Sequence, residues 1–142
     1  MSEPRGIRNN NPLNIRLSSD KWQGQVLPQR GSGEGVFCQF SEMKWGWRAA
    51  FRLLCHTYYG KYKLRTIRDI IYRWAPPNEN GTSVYIRSVA ERTGINADSV
   101  LGDPATHAAQ WLMIGMAMAI VENGTTQQDY LSMLKGWEMA MS

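Results

Sequence analysis

Two cysteines in 142 residues are too few for a disulfide scaffold, and Cys38 and Cys55 form no CxxC pair. The two histidines, His56 and His107, lie far apart in the chain, and no Cys/His spacing of a zinc site is present. No metal and no cofactor is therefore expected. Cys38 falls in a strand-like stretch and Cys55 on an apolar helical one, which suits two buried free thiols; a disulfide between them stays open. Long hydrophobic runs are also missing. The strongest, Trp111 to Val121, is too short to cross a bilayer. The opening "MSEPRGIRNNNP" has no apolar h-region, so it is not a secretory signal. The expectation is a protein made in the cytoplasm, with no membrane span, that needs another carrier if it acts outside. Concentrated charge is absent too. The net charge is +4, yet the densest basic stretch, Lys61 to Arg68, interleaves its cations with apolar residues. That spread argues against nucleic acid as a partner, while a mild positive excess suits an anionic polymer. There is no internal repeat and no low-complexity segment.

What is present is material for one core: six Trp, six Tyr and eight Met. At this length a single domain, residues 1–142, is expected. The first forty residues are rich in Asn, Gly, Pro and Ser, with short apolar pieces "LNIRL", "GQVL" and "GVFCQF". They predict loop plus a small β-hairpin whose turn falls in "GSGEG", Gly31 to Gly35. From Ser41, a plausible N-cap, Trp45, Arg48, Ala49, Arg52, Leu53 and His56 follow a helical period. Further helices are predicted from Thr66 to just before Pro76-Pro77, from Ser83 to Arg92 with Gly94 as the stop, from Asp103-Pro104 to Glu122, and from Thr126 to Met139. The fold class is α+β, mainly helical, with the apolar 104–122 helix at its centre.

Three stretches could carry chemistry. "MAMAIVENG" ends a buried helix in a single carboxylate, Glu122, followed by Asn123-Gly124. A carboxyl group against apolar walls favours its neutral form and can donate a proton; glycosidic cleavage needs such a donor. The plain alternative is a Glu in a last helical turn that reaches water. In "RNNNPLNIR", Asn9, Asn10, Asn11 and Asn14 offer donors and acceptors that suit sugar hydroxyl and N-acetyl groups, although Asx turns use the same residues. In "WAPPNENGTSVYIRSV", Glu79 and Asn80 lie in a loop beside Trp74, and Tyr85 could face a groove and orient a substrate or a carboxyl group, with Thr82 as a plain N-cap.

Together, "RGIRNNNPLNIR", "WQG", "FCQF", "GWRAAFRLL" and "RWAPPNENGTSVY", in this order, resemble a phage and prophage family of virion-associated proteins. More distantly, "NNNPLNI…WQG…FCQF" resembles cell-wall glucosaminidases of the lysozyme-like superfamily, and "TSVYIRSV" is similar to a stretch of lytic transglycosylases. The resemblance implies a lysozyme-like domain that cleaves peptidoglycan glycan strands, delivered by lysis, a virion or an injection apparatus. In those enzymes the catalytic Glu ends an apolar helix upstream of the Asn-rich motif. Here that helix resembles "MAMAIVENG", at the other end of the chain, so a circular permutation is the expectation. On this basis Glu122 is the expected proton donor, with Asn11, Asn14, Trp22, Glu79 and Tyr85 lining the groove. Glu34 is the candidate second carboxylate if water is the nucleophile; a transglycosylase needs none. The alternative is a non-catalytic virion or wall-binding module.

Overall fold

The structure, a computed structural model, describes residues 3–26, 36–77 and 81–142. The expected hairpin turn with Glu34, and Glu79 with Asn80, lie outside the described residues. Mainly helical architecture with one small antiparallel sheet is what forms. Its elements are α1 (Arg5–Arg8), β1 (Gln25–Val26), β2 (Gln39–Phe40), α2 (Met43–Phe51), a π-helix (Arg52–Lys61), α3 (Ile67–Trp74), α4 (Thr82–Thr93), α5 (Ala108–Asn123) and α6 (Tyr130–Met141). β1 and β2 pair with Gln25 opposite Phe40 and Val26 opposite Gln39. An isolated bridge joins Arg16 to Phe37.

The core is aromatic and sits where α2, α5 and α6 meet. Trp47 stacks on Phe51 at 5.4 Å between ring centroids, and Trp137 meets Phe51 edge-on at 5.0 Å. Trp47, Phe51 and Trp111 are fully buried. α6 reaches α2 because Gly136 has no side chain: a Cβ there would sit 2.8 Å from the Arg48 nitrogen and 2.9 Å from the Lys44 carbonyl oxygen. α5 buries Trp111, Ile114, Gly115, Ala117, Met118 and Ala119 and packs against α4 and α1.

Several boundaries differ from expectation, each for a local reason. Glu42, not Ser41, is the residue before α2. Of the expected face Ala49 is fully buried, but the rest of the buried side is Trp47, Ala50, Phe51, Leu54 and Cys55, and His56 is exposed. From Arg52 the helix widens to π winding, which a 3.6-residue period does not describe. Thr66, where a helix was expected to start, is the N-cap of α3, its side chain accepting from the Asp69 N–H. α4 begins at Thr82 with Gly81 before it, and the Thr82 hydroxyl donates to the Ala75 carbonyl instead of capping. Asp103 caps only an isolated turn: its carboxylate accepts from the Ala105 N–H and its carbonyl from the Thr106 and His107 N–H groups. α5 then starts at Ala108. Asp129 caps α6 by accepting from the Ser132 N–H and hydroxyl, so the last helix starts after residue 129 and not at Thr126. The short α1 had no counterpart in the sequence reading.

Candidate functional site

The site grows from a seam between the Asn-rich segment and the C-terminal end of α5. Gly124, in the left-handed region at φ 67°, ends α5 and leaves Glu122 and Asn123 in its last turn. The Asn123 amide donates to the Pro12 carbonyl at 2.9 Å and to the Ala119 carbonyl at 3.0 Å. Gly6 lies directly against this junction; a Cβ on it would stand 2.7 Å from the Asn11 carbonyl oxygen and closer still to the Asn123 side chain. The N-terminal segment is thus pressed onto α5 by hydrogen bonds and close packing.

The asparagines divide the work. Asn10 donates to the Phe40 carbonyl, and the Asn9 carbonyl accepts from the Phe40 N–H. Fully buried Asn11 donates to the Ile15 and Cys38 carbonyls at 3.0 and 2.9 Å and accepts from the Ile15 N–H at 2.9 Å. Asn11 is therefore committed to holding the loop against β2 and does not line a groove; its inward bonds leave nothing to offer outside. Asn14 differs. It sits in the left-handed region at φ 54°, a conformation Asn tolerates. Its amide reaches across to donate to Glu122 Oε1 at 2.9 Å.

Tyr85, on α4, completes the arrangement by donating its hydroxyl to Glu122 Oε2 at 2.9 Å. Tyr85 is buried, and burial first, then the neighbouring Glu122 charge and the bond to it, push its phenol well above the ordinary range. The hydroxyl consequently stays protonated and able to donate. Glu122 itself is half-buried, with one donor on each carboxyl oxygen.

Glu122 opens into a polar pocket of about 170 Å³ lined by Arg5, Asn14, Arg16, Phe37, Trp74 and Ala75. A second pocket, of about 190 Å³, shares Asn14, Arg16 and Trp74 with the first and continues to Leu53 and Tyr58. Trp74 and Tyr58 meet edge-on at 5.9 Å. The two pockets adjoin along an aromatic wall with the carboxyl group at one end. A larger cavity of about 440 Å³, along α5 and α6, is lined by Leu112, Met113, Met116, Ile120 and Met133, with Arg92 as its one charged residue and Tyr130 as its one hydroxyl, and its lining includes no carboxylate.

Of the residues expected at the site, Glu122, Asn14 and Tyr85 come together. Asn11 stands behind them. Trp22 is half-buried and packs against the core, outside both pockets. Glu79 is outside the described residues. Arg5, Arg16, Phe37, Trp74 and Tyr58 were not singled out as site residues from sequence, although Trp74 was noted beside Pro76-Pro77. Their only signal was proximity in sequence to motifs already marked. Among the described residues no group of three His, Cys, Asp or Glu side chains could hold a metal ion, and no described helix is long and apolar enough to cross a membrane.

A mainly helical domain with a small antiparallel sheet and a hydrogen-bonded carboxyl group at a groove describes the class to which the chain conforms. No protein-family model matches it. The chain is 41% identical over 137 residues to Protein P5 of Pseudoalteromonas phage PM2, a match covering 94% of this chain and 80% of that protein. The chain belongs to this phage protein family.

Proposed function

We propose that the protein is a glycan-strand cleaving enzyme of the bacterial cell wall, lysozyme-like and circularly permuted, with Glu122 as its general acid. The observation that carries the proposal is the meeting of Glu122, Asn14 and Tyr85 at the end of an aromatic-walled groove. The surroundings of Glu122 are polar, with a donor on each oxygen, where apolar walls were expected. Asn14 and Tyr85 orient the carboxyl group and the pocket leaves it open on one side, so that in its protonated form it can deliver a proton to a glycosidic oxygen. Trp74 and Tyr58 supply ring faces of the kind that line ligand grooves. The seam from Asn123 to Pro12 joins the end of the acid-bearing helix to the Asn-rich segment, as a permuted order requires.

Among the described residues that line this pocket, Glu122 is the one carboxylate, and Glu34, the candidate second carboxylate, lies outside the described residues. A transglycosylase needs a single acid/base group, whereas a hydrolase needs a partner carboxylate roughly 5–10 Å away; the proposal here is the transglycosylase. In the transglycosylase step, the C6 hydroxyl of the muramyl sugar attacks its own C1 while the bond from C1 to the leaving sugar oxygen breaks. Glu122 gives its proton to that oxygen and recovers one from the attacking hydroxyl. The product is a 1,6-anhydro end, and no water is consumed. Glu34→Gln should leave activity nearly intact; reducing-end products with an inactive Glu34→Gln variant would show a hydrolase. Glu122→Gln should fold normally and lose about 10²-fold in wall lysis; lysis at the native rate would remove Glu122 from the mechanism. A second reading, a non-catalytic virion module, is favoured by one feature: both Glu122 oxygens already have partners within the chain. Clearing of purified cell walls by the native chain separates the two.

A further inference from the structure

Phe37 is buried, and two guanidinium groups lie over its ring: that of Arg5 at 4.4 Å from the centroid and that of Arg16 at 5.3 Å. Arg16 and Phe37 face one another across the isolated bridge, and Arg5 comes from α1. All three line the pocket that contains Glu122. Yet no described ion pair joins either arginine to Glu122, which instead accepts from Asn14 and Tyr85. The ion pairs described include Lys44 with Glu42 and Arg68 with Asp98, and none of them pairs Arg5 or Arg16 with a described carboxylate; Glu122 is the carboxyl group that shares their pocket. Two like charges gathered on one ring repel each other, and the stacking that holds them also restricts their rotamers. A guanidinium held this way presents its fork of N–H donors ready for a planar anion.

We propose that Arg5 and Arg16 form an anion-recognition subsite that takes a free carboxylate of the short peptide carried by alternate sugars of the wall glycan. The inference rests on the proposed wall-glycan reading and specifies it: the preferred substrate is peptide-bearing strand, not bare polysaccharide. Glu122 cuts at one end of the groove, and the arginines fix the register by gripping the side peptide.

The test is equilibrium binding, with no cleavage read. Glu122→Gln protein is co-sedimented at low salt with purified peptidoglycan, before and after an amidase has removed the peptides. Binding should weaken by about tenfold or more on stripping, the scale of charge-assisted contacts to a carboxylate. The preference should fade in high salt. Adding Arg5→Gln and Arg16→Gln should equalise binding to the two polymers. Equal binding of Glu122→Gln protein to intact and stripped wall overturns the subsite, as does a preference that survives loss of both arginines. The stripping comparison substitutes neither arginine, so it decides the matter even if the arginine variants misfold. A chain that cuts nothing yet prefers peptide-bearing wall would refute the cleavage reading and retain the subsite.

Discussion

Gly6→Ala tests the seam on which the site depends. Two effects compete. Alanine favours helix over glycine by about 1 kcal/mol in a helix interior, and less in the four-residue α1. Against this, the new Cβ would lie 2.7 Å from the Asn11 carbonyl oxygen, an atom of the backbone, and closer to the Asn123 side chain. A side chain can swing aside, but the Asn11 backbone cannot, because the Asn11 amide ties that loop to Ile15 and Cys38. Overpacking of this kind costs about 1–3 kcal/mol, so crowding outweighs propensity. With an unfolding entropy of about 2.1 cal/mol/K per residue, a chain of this length loses about 3 °C for each kcal/mol. Thermal melting followed by circular dichroism should therefore show a Tm lower by roughly 3–10 °C. Wall lysis should fall further than the folded fraction does, since the same displacement moves Asn14 relative to Glu122. An unchanged or raised Tm would refute the close packing of the N-terminal segment on α5.

Asn14 separates backbone from side chain. Asn14→Gly should keep the φ of 54° and lose the bond to Glu122, while Asn14→Ala loses the bond and adds strain of about 1–2 kcal/mol; the Gly variant should melt higher, and equal melting would refute the strain. Tyr85→Phe should lower lysis about tenfold, the upper worth of one ordinary hydrogen bond that orients the acid; native-like lysis would free Glu122 from Tyr85. The folded-state phenol is raised, so the folded protein resists losing that proton. Its stabilising effect is whole below the ordinary phenol range near pH 10 and declines as pH climbs through it. Urea midpoints from pH 8 to 11 should thus fall less steeply in Tyr85→Phe than in the native chain, and identical slopes would contradict this. Burial, with Asp20 behind it, pushes the Cys38 thiol up to about 11, and burial with Asp103 pushes Cys55 higher. A thiol reagent at pH 8 should label neither until the chain is denatured; rapid native labelling would show an exposed thiol.

Helix content, the start of α3 at Thr66 and the Gly94 and Gly124 stops were legible because they rest on local chemistry. The starts of α5 and α6 were not. Asp103 and Thr126 are good capping types, but the first was taken by an isolated turn and the second lost to Asp129, choices made by neighbouring backbone and side-chain bonds. In the site, Glu122 and Tyr85 could be marked by residue type and position. That Asn14 alone of the asparagines reaches Glu122 could not, because four similar amides differ only in backbone conformation and tertiary partners. The arginines over Phe37 were hidden for a related reason: their stacking depends on a bridge between residues 21 positions apart and on the placement of α1, which carries no strong helical period.

The central claim is that Glu122 cleaves wall glycan, and the most direct measurement is mass analysis of soluble fragments released from purified peptidoglycan by the native chain and by Glu122→Gln. The native chain should release muropeptides with 1,6-anhydro ends, and the variant should release about 10²-fold fewer in the same time. No fragments from the native chain, or equal release by both, would contradict the account.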